Sequence, residues 1–455
     1  MNDILKAIVA AGGDPIRVGG CIRDELLGLE SKDVDVEVFG LSADALCAVL
    51  RRFGKVSVVG ESFGVIKLTT KDEDFDFSLP RRDNKTGRGH KGFQVEVDHS
   101  MTPAEAALRR DFTINAIGKR LDGELVDPFG GKQDLLDGVL RATSVHFSED
   151  PLRVLRGFQF ASRFKLTAEP GTVEMCRVLV DEADTLAIER IWGEWEKWAM
   201  KGVVPSMGLR FLVECGWIRL FPELVNLIDV PQDPVWHPEG CAWTHTLHVC
   251  DAAARICDRE KLEGEDRAVI ILAALCHDLG KALPENGGTT VFEDEHWRSP
   301  GHAEAGVPLS RRFLERIGCL ERIIEKVLPL VAEHMICMTT SEITDRVVRR
   351  LSVRLGKATM RELLLILEAD HSGRPPLAGG LPEPGKEIAV IAERLALEAA
   401  KPKPIIAGQH LIDRGYKPGP FFGLVINQCF EAQLDGVFTD EAGAVRHLEE
   451  VLSLQ

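Results

Sequence analysis

Two patterns of hydrophobic and polar residues divide the chain at about residue 145. Before that point, short segments with the two-residue period of β-strands alternate with helical segments, as in FGKVSVVG, FGVIKLTT and FQVEVD. After it, apolar residues recur every three or four positions, as in EDPLRVLRGFQFASRF and IERIWGEWEKWAM, and strand patterns nearly disappear. The patterns therefore predict an α+β N-terminal part with a mixed sheet and helices, followed by an all-α remainder.

Proline-rich segments indicate boundaries within the helical part. Residues 230–240 (VPQDPVWHPEG) are typical of a linker, and residues 374–386 (RPPLAGGLPEPGK) form a second break. The change of pattern and the two breaks predict four parts: a head over 1–145, a helical neck and body over 146–229, a helical domain over 230–375 and a helical tail over 376–455.

Composition excludes several classes of protein. A chain of 455 residues is too long for one small hydrophobic core, so several domains are expected. It contains no uninterrupted apolar run of membrane-spanning length. The N-terminus, MNDILKAIVAAGGDP, lacks a basic region and is typical of an amphipathic helix rather than a signal peptide. Eleven cysteines occur without a CxxC pair, which favours a reducing cytoplasm over a disulfide or zinc-ribbon framework. We expect a cytoplasmic protein that does not enter a membrane.

The net charge of −16 argues against a general nucleic-acid coat protein, but the acidity is uneven. Residues 1–165 carry 24 basic and 26 acidic side chains, against 31 and 45 in the rest. A basic segment, LPRRDNKTGRGHKG over 79–92, is either a solvated flexible loop or an RNA-binding track. The candidate RNA-binding residues are Arg81, Arg82, Lys85, Arg88 and Lys91.

The segment VGGCIRDELLGLESKDVDVEV, residues 18–38, combines two kinds of phosphate chemistry. Gly19-Gly20 and the helix that follows offer backbone N–H groups to an anion, and Arg23 adds a forked donor. Alternation places the side chains of Asp33 and Asp35 on one strand face, where a shared cation such as Mg²⁺ relieves their repulsion. An isolated Asp-x-Asp is more often a solvated strand face, so the pair gains meaning from the glycines before it.

Three further motifs follow in order. RRDFTINAI (109–117) and DPFGG (127–131) supply forked donors, a carboxylate, an amide and a glycine turn. EDPLR (149–153) places an acid and an arginine at helical spacing, where they can face a base edge or form an ordinary ion pair. The polar residues of interest are Arg109, Arg110, Asp111, Asn115, Glu149, Asp150 and Arg153.

Together these motifs resemble the bacterial class II branch of the tRNA nucleotidyltransferase (CCA-adding) family, which also contains bacterial poly(A) polymerases. The resemblance covers residues 1–225 and implies template-independent addition of nucleotides to tRNA from CTP and ATP. It implies that Asp33 and Asp35 hold two Mg²⁺ ions, with Asp76 or Asp74 as a third acid. It further implies triphosphate contacts from Gly19, Gly20 and Arg23, ribose contacts near Arg110, Asp111 and Asn115, and base selection by Glu149, Asp150 and Arg153.

Histidines and aspartates are spread over the helical domain, in WHPEGCAWTHTLHV, LAALCHDLGKA, PGHAEAG, VAEHM and LEADHSGR. A His-Asp doublet that closes an apolar helix is a better metal signal than a lone histidine, and the set resembles the HD phosphohydrolase superfamily. The resemblance implies a divalent transition metal and phosphatase or 2′,3′-cyclic phosphodiesterase activity. The implied ligands are His245, His277, Asp278 and Asp370, with His302 and His334 as additional histidines; Lys281 could contact phosphate or cap a helix.

Several functions remain open on this basis. The main expectation is CCA addition and repair on tRNA, with poly(A) synthesis, CC-only addition or A-only addition as rivals. A different class of function is a nucleotide phosphohydrolase with an inactive head, and a non-enzymatic RNA-binding module is a last alternative. The acidic chain argues against a processive grip on arbitrary RNA, and the intact DVD and EDPLR motifs argue against an inactive head. The sequence does not fix the oligomeric state, the metal of the HD site or its substrate.

Overall fold

The computed structural model describes residues 1–30, 34–59, 65–71, 73–85, 93–98 and 100–454, and for residues 59, 82–85 and 93–96 the description covers the backbone. The chain divides into two compact units, Met1–Leu220 and Phe221–Gln455. Among the described residues, no helix is both long enough and apolar enough to cross a membrane.

The first unit contains a mixed sheet and the helices that cover it. Its strands are β1 (Asp14–Val18), β2 (Asp35–Phe39), β3 (Lys55–Val59), β4 (Val65–Thr69), β5 (Asp74–Ser78), β6 (Arg81–Lys85), β7 (Phe93–Val97), β8 (Gly118–Lys119), β9 (Leu125–Val126), β10 (Val139–Leu140) and β11 (Thr167–Ala168). Its helices are α1 (Asn2–Ala10), α2 (Gly20–Leu26), α3 (Ala43–Leu50), α4 (Pro103–Ala107), α5 (Gly131–Asp137), α6 (Leu152–Phe164), α7 (Pro170–Val178), α8 (Ile188–Lys201) and α9 (Pro205–Glu214). Short 3-10 helices span Thr113–Asn115, Val145–Glu149, Val180–Thr185 and Trp217–Leu220.

The main sheet has the strand order β3-β4-β5-β2-β1-β8-β9. The β2–β5 pair is parallel, whereas β1 pairs with both β2 and β8 in antiparallel fashion. Val36 and Val38 of β2 are fully buried in a core that also contains Phe77 of β5 and Leu46 of α3. The mixed sheet expected from the alternating pattern is confirmed, and strand β5 was not among the expected strands.

The glycine pair lies where β1 ends. Gly19 has φ +79° and α2 begins at Gly20, so the chain turns directly from strand to helix. In the DPFGG motif, a Cβ on Gly131 would lie only 2.0 Å from the carbonyl oxygen of Thr113. Only glycine therefore permits α5 to approach the 3-10 helix of the RRDFTINAI motif. Asp127 accepts hydrogen bonds from Gly131 N and Lys132 N at 2.7 and 2.9 Å, so its role is to cap α5.

The neck consists of α6, α8 and α9 around an aromatic core. The ring centroids of Phe158 and Trp195 lie 4.6 Å apart, and those of Phe158 and Trp198 lie 5.5 Å apart. All three rings are fully buried, and the indole of Trp198 donates to the carbonyl oxygen of Pro205 at 3.1 Å. This packing supports the N-terminal half of α6, where Arg153 and Arg156 lie.

The second unit is almost entirely helical. Its helices are α10 (Pro222–Val225), α11 (Ala242–Glu260), α12 (Gly264–Cys276), α13 (His302–Arg316), α14 (Glu321–Glu333), α15 (Ile336–Thr339), α16 (Asp345–Arg354), α17 (Met360–Ser372), α18 (Glu383–Arg394), α19 (Gly408–Ile412), α20 (Pro420–Leu434) and α21 (Glu441–Ser453). Short 3-10 helices span Leu279–Lys281 and Pro284–Asn286, and strands β12 (Val291–Glu293) and β13 (His296–Arg298) form a hairpin that the sequence analysis did not predict.

Burial explains how α12 delivers the His-Asp doublet. Every residue from Arg267 to Cys276 is buried, which is typical of a helix enclosed on all sides. His277 and Asp278 follow directly, so both side chains remain inside the unit at about 1% exposure. The tail helices α19, α20 and α21 pack around a separate apolar core that includes Leu411, Val425 and Leu448.

Candidate active sites

A cavity of about 720 Å³ lies in the first unit, and we call it the head cavity. Its wall carries ten basic side chains and four acidic ones, so it is suited to a polyanionic ligand. The basic residues are Arg23, Arg81, Arg109, Arg110, Arg153, Arg156, Arg163, Arg190, Lys197 and Lys201, and the acidic residues are Asp35, Asp76, Asp111 and Asp150.

Two carboxylates lie side by side on the sheet wall of the head cavity. Asp35 of β2 and Asp76 of β5 are register partners across the parallel pair, and both side chains are exposed to the cavity. Asp74, the other candidate for a third acid, is not part of the wall and forms an ion pair with Lys67 at 3.1 Å. The oxygen donors of the pair fit a hard cation such as Mg²⁺. Asp33 lies outside the described residues.

The absence of a side chain at Gly19 brings opposite charges together at the end of β1. A Cβ on Gly19 would lie 2.9 Å from Arg110 Nη1 and 4.0 Å from Asp35 Oδ2. The guanidinium and the carboxylate therefore both lie next to the space that a side chain at residue 19 would occupy. Gly20 also lines the head cavity.

A buried acid that the sequence analysis did not select fixes the two arginines of the RRDFTINAI motif. Glu37 of β2 is only 2% exposed, although alternation predicts a solvated acid at this position. It accepts a hydrogen bond from Arg109 Nη2 at 2.8 Å and a weaker one from Arg110 Nη2 at 3.5 Å. Glu37 thus holds both guanidinium groups at the cavity wall, with their remaining donors available to a ligand.

Arg23 and Asn115 belong to one buried network. Arg23 Nη1 donates to Asn115 Oδ1 at 2.5 Å, and Asn115 Nδ2 donates to Asp111 Oδ1 at 3.0 Å. Arg156, which the sequence analysis missed, donates from Nε to Asp111 Oδ2 at 2.6 Å. The sequence signal that could have identified Arg156 is its position about one helical turn after Arg153.

The network determines the charge of its members. Burial alone would raise the pKa of the Asp111 carboxyl, but Arg156 and Asn115 hold that pKa below its usual value. Arg23 is 4% exposed, its guanidinium carbon lies 4.3 Å from the ring centroid of Phe164, and Asp24 accepts from its Nη2 at 2.7 Å. The Arg23 guanidinium is therefore firmly positioned at the cavity wall rather than free to move.

The EDPLR residues divide between the cavity and its surroundings. Asp150 and Arg153 line the cavity, whereas Glu149 does not and accepts from His146 Nδ1 at 2.7 Å. Asp150 is held by Arg190 Nη2 at 2.8 Å, and Arg153 donates to the carbonyl oxygens of His146 and Arg109 at 2.6 Å each. Burial lowers the pKa of Arg153. Both side chains are thus positioned before any ligand binds.

The basic segment 79–92 contains more regular structure than a flexible loop. Residues Arg81–Lys85 form β6, which pairs with β7 in antiparallel register. Arg81 lines the head cavity, and the side chains of Arg82 and Lys85 lie outside the description. Arg88 and Lys91 lie outside the described residues. The expectation of a loop is therefore wrong for residues 81–85.

A second cavity, of about 480 Å³, lies in the second unit and is lined by four of the predicted metal ligands, Asp278, Asp370, His302 and His334. His245 Nε2 lies 3.1 Å from Asp370 Oδ1, 3.3 Å from His277 Nε2 and 3.6 Å from Asp278 Oδ2. His277 Nε2 lies 3.2 Å from the same oxygen of Asp278. These atoms form the first of two adjoining ligand groups.

The other carboxylate oxygen of Asp278 belongs to the second group. Asp278 Oδ1 lies 3.3 Å from His302 Nε2 and 3.7 Å from His334 Nε2, and the two ring nitrogens lie 3.1 Å apart. Asp278 therefore contributes one carboxylate oxygen to each of the two groups. We call the six residues of both groups the histidine centre.

The tautomers of three histidines follow from their second ring nitrogens. Nδ1 of His277, His302 and His334 lies 2.7–2.8 Å from the carbonyl oxygens of Ala274, Ser299 and Val331. A carbonyl oxygen can only accept, so Nδ1 of each ring carries a proton and Nε2 is the atom that faces the centre.

Burial lowers the pKa of His334, which favours the neutral form. Two ring nitrogens 3.1 Å apart, from His302 and His334, fit a shared divalent cation.

A second layer around the centre comes from the segment that the sequence analysis took for a linker. Glu239, with a side chain only 1% exposed, places Oε1 2.8 Å from Nδ1 of both His237 and His245. Burial opposes ionisation, but these imidazoles hold the pKa of Glu239 at about 2. The expected linker 230–240 is thus part of the site. Sequence reasoning missed Glu239 because its contact depends on how the segment folds back.

Neighbouring charged groups shift the pKa values of His245 and Asp278 within the histidine centre. Burial would lower the pKa of His245, but Asp370 and Glu239 raise it to about 9. Burial would raise the pKa of Asp278, but His277 and Lys281 hold it well below its usual value. Lys281 Nζ lies 2.9 Å from Asp278 Oδ2, so it is an ion-pair partner of the centre and not a helix cap.

Two family models match this chain, one in each of the two units. The poly(A) polymerase head domain family matches residues 16–141, and the HD domain family matches residues 242–374. The fold is similar to the Bacillus stearothermophilus CCA-adding enzyme in complex with CTP (19% identity, TM-score 0.66, 100% of this chain and 97% of that chain). It is also similar to the Thermotoga maritima CCA-adding enzyme complexed with tRNA (21% identity, TM-score 0.62, 100% and 94%). At these identities the likeness shows the fold alone.

The relationship in sequence is closer and extends over most of the chain. The multifunctional CCA protein of Nitrosococcus oceani is 35% identical over 397 residues, which cover 86% of this chain and 92% of that protein. The match therefore extends over most of both chains. The chain belongs to the multifunctional CCA protein family.

Proposed function

We propose that the head cavity adds CMP and AMP from CTP and ATP to the 3′ end of tRNA. The observation that carries the proposal is the Asp35–Asp76 pair, which lies beside an arginine-rich wall within the same cavity. Nucleotidyl transfer needs cation ligands next to groups that hold a triphosphate. The family relationship supports tRNA as the acceptor.

Each part of the cavity has a separate task in this reaction. Asp35 and Asp76, with Asp33, would hold Mg²⁺, which activates the 3′-hydroxyl and neutralises charge on the phosphates. Arg109 and Arg110, anchored on Glu37, direct their free donors to the triphosphate.

Two polar side chains in the head cavity bind the sugar. Asp111 and Asn115 present polar atoms to the ribose from within the buried network.

Base selection falls to Asp150 and Arg153. Both are held by protein partners in a fixed orientation, so a correct base meets donors and acceptors that are already placed. An incorrect base leaves buried polar groups unpaired, and that penalty discriminates between nucleotides without a template. Glu149 contributes indirectly, because its contact with His146 supports the backbone carbonyl that Arg153 uses.

We further propose that the histidine centre is a two-cation phosphoesterase. His245, His277 and Asp370 would hold one divalent transition metal, His302 and His334 the other, and Asp278 would bridge them. Ions at these positions supply a hydroxide nucleophile at neutral pH. In hydrolysis of a cyclic phosphodiester, the water oxygen bonds to phosphorus, one ring P–O bond breaks and the released sugar oxygen takes the proton. Lys281 stabilises charge on the phosphate from the cavity side.

One assay separates the alternatives for the head. Purified protein is given tRNA that lacks CCA, with CTP alone, ATP alone and both together. CCA addition gives two cytidines with CTP alone and one further adenosine when ATP is present. A long adenosine tract with ATP alone would instead favour the poly(A) polymerase, and no incorporation would favour an inactive head.

We place the protein in the cytoplasm, since all eleven cysteines are free thiols.

A further inference from the structure

One side chain on the wall of the head cavity is polar, buried and unpaired. Gln159 of α6 is 2% exposed, and its Oε1 atom has no hydrogen-bond partner in the part of the chain that the structure describes. Among the described residues that line this cavity, Gln159 alone has a buried acceptor atom without a partner. An unpaired buried oxygen costs free energy, and a ligand that brings a donor removes that cost. Gln159 therefore indicates a donor group on the ligand of the cavity.

Gln159 lies in the middle of the helix face that lines the cavity. Arg153, Arg156, Gln159 and Arg163 share this face of α6, because residues three or four apart return to the same side of a helix. At a rise of about 1.5 Å per residue, Gln159 lies about 5 Å beyond Arg156 and about 6 Å before Arg163 along the helix axis. Arg153, which faces the base, lies a further turn before Arg156.

The turn before Gln159 belongs to the group that we assign to the ribose. Arg156 Nε donates to Asp111 Oδ2 at 2.6 Å. Asp111 Oδ1 accepts from Asn115 Nδ2 at 3.0 Å and from the next backbone N–H at 2.8 Å, and Asn115 Oδ1 accepts from Arg23. Most acceptor positions of this group are thus occupied by donors of the protein, so it has little capacity left for the hydroxyls of a sugar.

The turn after Gln159 belongs to a cationic group. Arg163, Lys197 and Lys201 all line the cavity. Burial lowers the pKa of Lys201, and the charges of Arg163 and Lys197 lower it further. Cations that crowd one another in this way fit an ionised polyphosphate, which offers acceptors and no donors. A polyphosphate bound here would therefore leave the Gln159 oxygen unpaired.

We propose that Gln159 Oε1 accepts a hydrogen bond from a ribose hydroxyl of the incoming nucleotide and makes the head cavity selective for the sugar. This inference rests on the proposed nucleotide addition and names a residue for sugar selection in the same site. The base faces Arg153 nearer the start of the helix, and the phosphates offer no donor. The sugar hydroxyls are therefore the donors that remain. Ribose carries two of them, at the 2′ and 3′ positions, and the experiment distinguishes them.

Three substrates that differ by one hydroxyl test the inference. CTP, 2′-deoxy-CTP and 3′-deoxy-CTP share the base and the triphosphate, and a tRNA that ends after the first cytidine of CCA accepts one further cytidine. Gln159→Met keeps the length of the side chain and removes the acceptor. We expect it to lower kcat/KM for CTP by about tenfold. The analogue that lacks the bound hydroxyl should lose much less, so the preference for CTP over that analogue should fall by nearly the same factor.

Two further variants separate the hydrogen bond from packing. Gln159→Glu keeps an oxygen at the same distance along the side chain, so it should keep the preference for CTP over the decisive analogue even if turnover falls. Gln133→Met is the matched control, because Gln133 is exposed on α5 and does not line the cavity. It should leave kcat/KM for all three substrates unchanged.

A binding measurement removes the dependence on turnover. Titration calorimetry with CTP and both analogues, on the full-length protein without tRNA, should show about tenfold weaker binding of CTP to Gln159→Met than to the wild type. The decisive analogue should bind both proteins with similar affinity. Nucleotide binding elsewhere on the chain is common to both proteins and does not affect the comparison.

The outcomes distinguish the two levels of the proposal. If the wild type adds no nucleotide to tRNA, the proposed nucleotide addition fails, and the calorimetry still decides the role of Gln159. If Gln159→Met lowers turnover and binding of CTP and both analogues by one common factor, or changes none of them, the sugar contact is wrong. The contact is also wrong if Gln159→Glu loses the preference as Gln159→Met does.

Discussion

Asp35 and Asp76 are register partners on neighbouring parallel strands, and both face the head cavity. Asp74 lies on the same face of β5 but is paired with Lys67. The geometry therefore selects Asp76 over Asp74 as the acid that cooperates with the Asp-x-Asp motif. The sequence alone left these two residues as equal candidates.

Replacing either member of this pair should stop nucleotide addition. We expect Asp35→Ala and Asp76→Ala each to lower incorporation of radiolabelled CTP by at least about 100-fold, because loss of a cation ligand removes charge stabilisation from the transition state. Binding of tRNA and the thermal unfolding midpoint should change little, since both side chains are exposed. Asp74→Ala is the matched control and should keep near-normal turnover. Normal activity of Asp76→Ala would contradict the assignment.

The two active sites should be separable through Asp278. Asp278→Ala removes the bridging carboxylate, so we expect loss of bound transition metal and of cyclic phosphodiester hydrolysis, with CTP and ATP incorporation intact. Metal content is measured by elemental analysis after dialysis. Asp266→Ala, at an exposed position on α12, should change neither activity. Loss of both activities in a well-folded Asp278→Ala protein would mean that the division of functions is wrong.

Glu239 should matter for the metal although it is not one of the six residues of the histidine centre. Glu239→Gln removes the negative charge that orients His245, and we expect divalent metal affinity to fall by about 10- to 100-fold. Competition between the protein and a chelator for Co²⁺, followed by absorbance, measures the change. Glu285→Gln, at an exposed position on a nearby 3-10 helix, serves as the control. An unchanged Co²⁺ affinity would reduce Glu239 to a packing role.

Arg153 should affect the choice of nucleotide more than the binding of triphosphate. Arg153→Ala removes two hydrogen bonds to backbone carbonyl oxygens as well as a group that faces the base. We expect misincorporation of UTP and GTP, together with a stability loss of about 1–3 kcal/mol from the unpaired carbonyls. Single-turnover incorporation of each nucleotide tests the first effect and chemical denaturation the second. An Arg153→Ala enzyme that still adds C, C and A in order would place base selection elsewhere.

The segment between β6 and β7 should determine whether the final adenosine is added. The resemblance to the CCA-adding family implies that a loop in this interval takes part in the switch from CTP to ATP. We expect deletion of residues 86–90 to leave addition of two cytidines and to stop the product before adenosine. A deletion that begins at residue 83 would also remove three of the five residues of β6, so the shorter deletion is the cleaner test. Unchanged CCA synthesis would exclude this role.

Much of the architecture followed from periodicity. The strands around the glycine pair, the amphipathic N-terminal helix and the long neck helices all have the period of the element that they form. Strand β5, DFDFS, has the alternating pattern of a strand. It was missed because three of its five side chains are acidic or carry a hydroxyl group. The hairpin β12–β13 was missed because three-residue strands are too short to show a period.

Site residues that belong to a recognisable sequence motif were predicted. Site residues that are identified only by their tertiary contacts were not. The histidines and aspartates of the second unit come together as their motifs predict, although they lie on or next to five different helices. Glu37 was overlooked because its burial depends on two arginines more than 70 residues away. Arg156 and Glu239 were overlooked for the same reason: each finds its partner only in the folded chain.

The position of β1 between β2 and β8 has a consequence for synthesis on the ribosome. Val18 of β1 pairs with Asp35 on one side and Gly118 on the other, and Arg23 bonds to Asn115, 92 residues later. A nascent chain can form the antiparallel β1–β2 pair early, but this part of the sheet is complete only after β8 has emerged from the exit tunnel. Contacts of such sequence separation slow folding, so the head should mature late and in one step. The incomplete sheet would meanwhile expose the edge of β1 to other nascent chains on the same messenger.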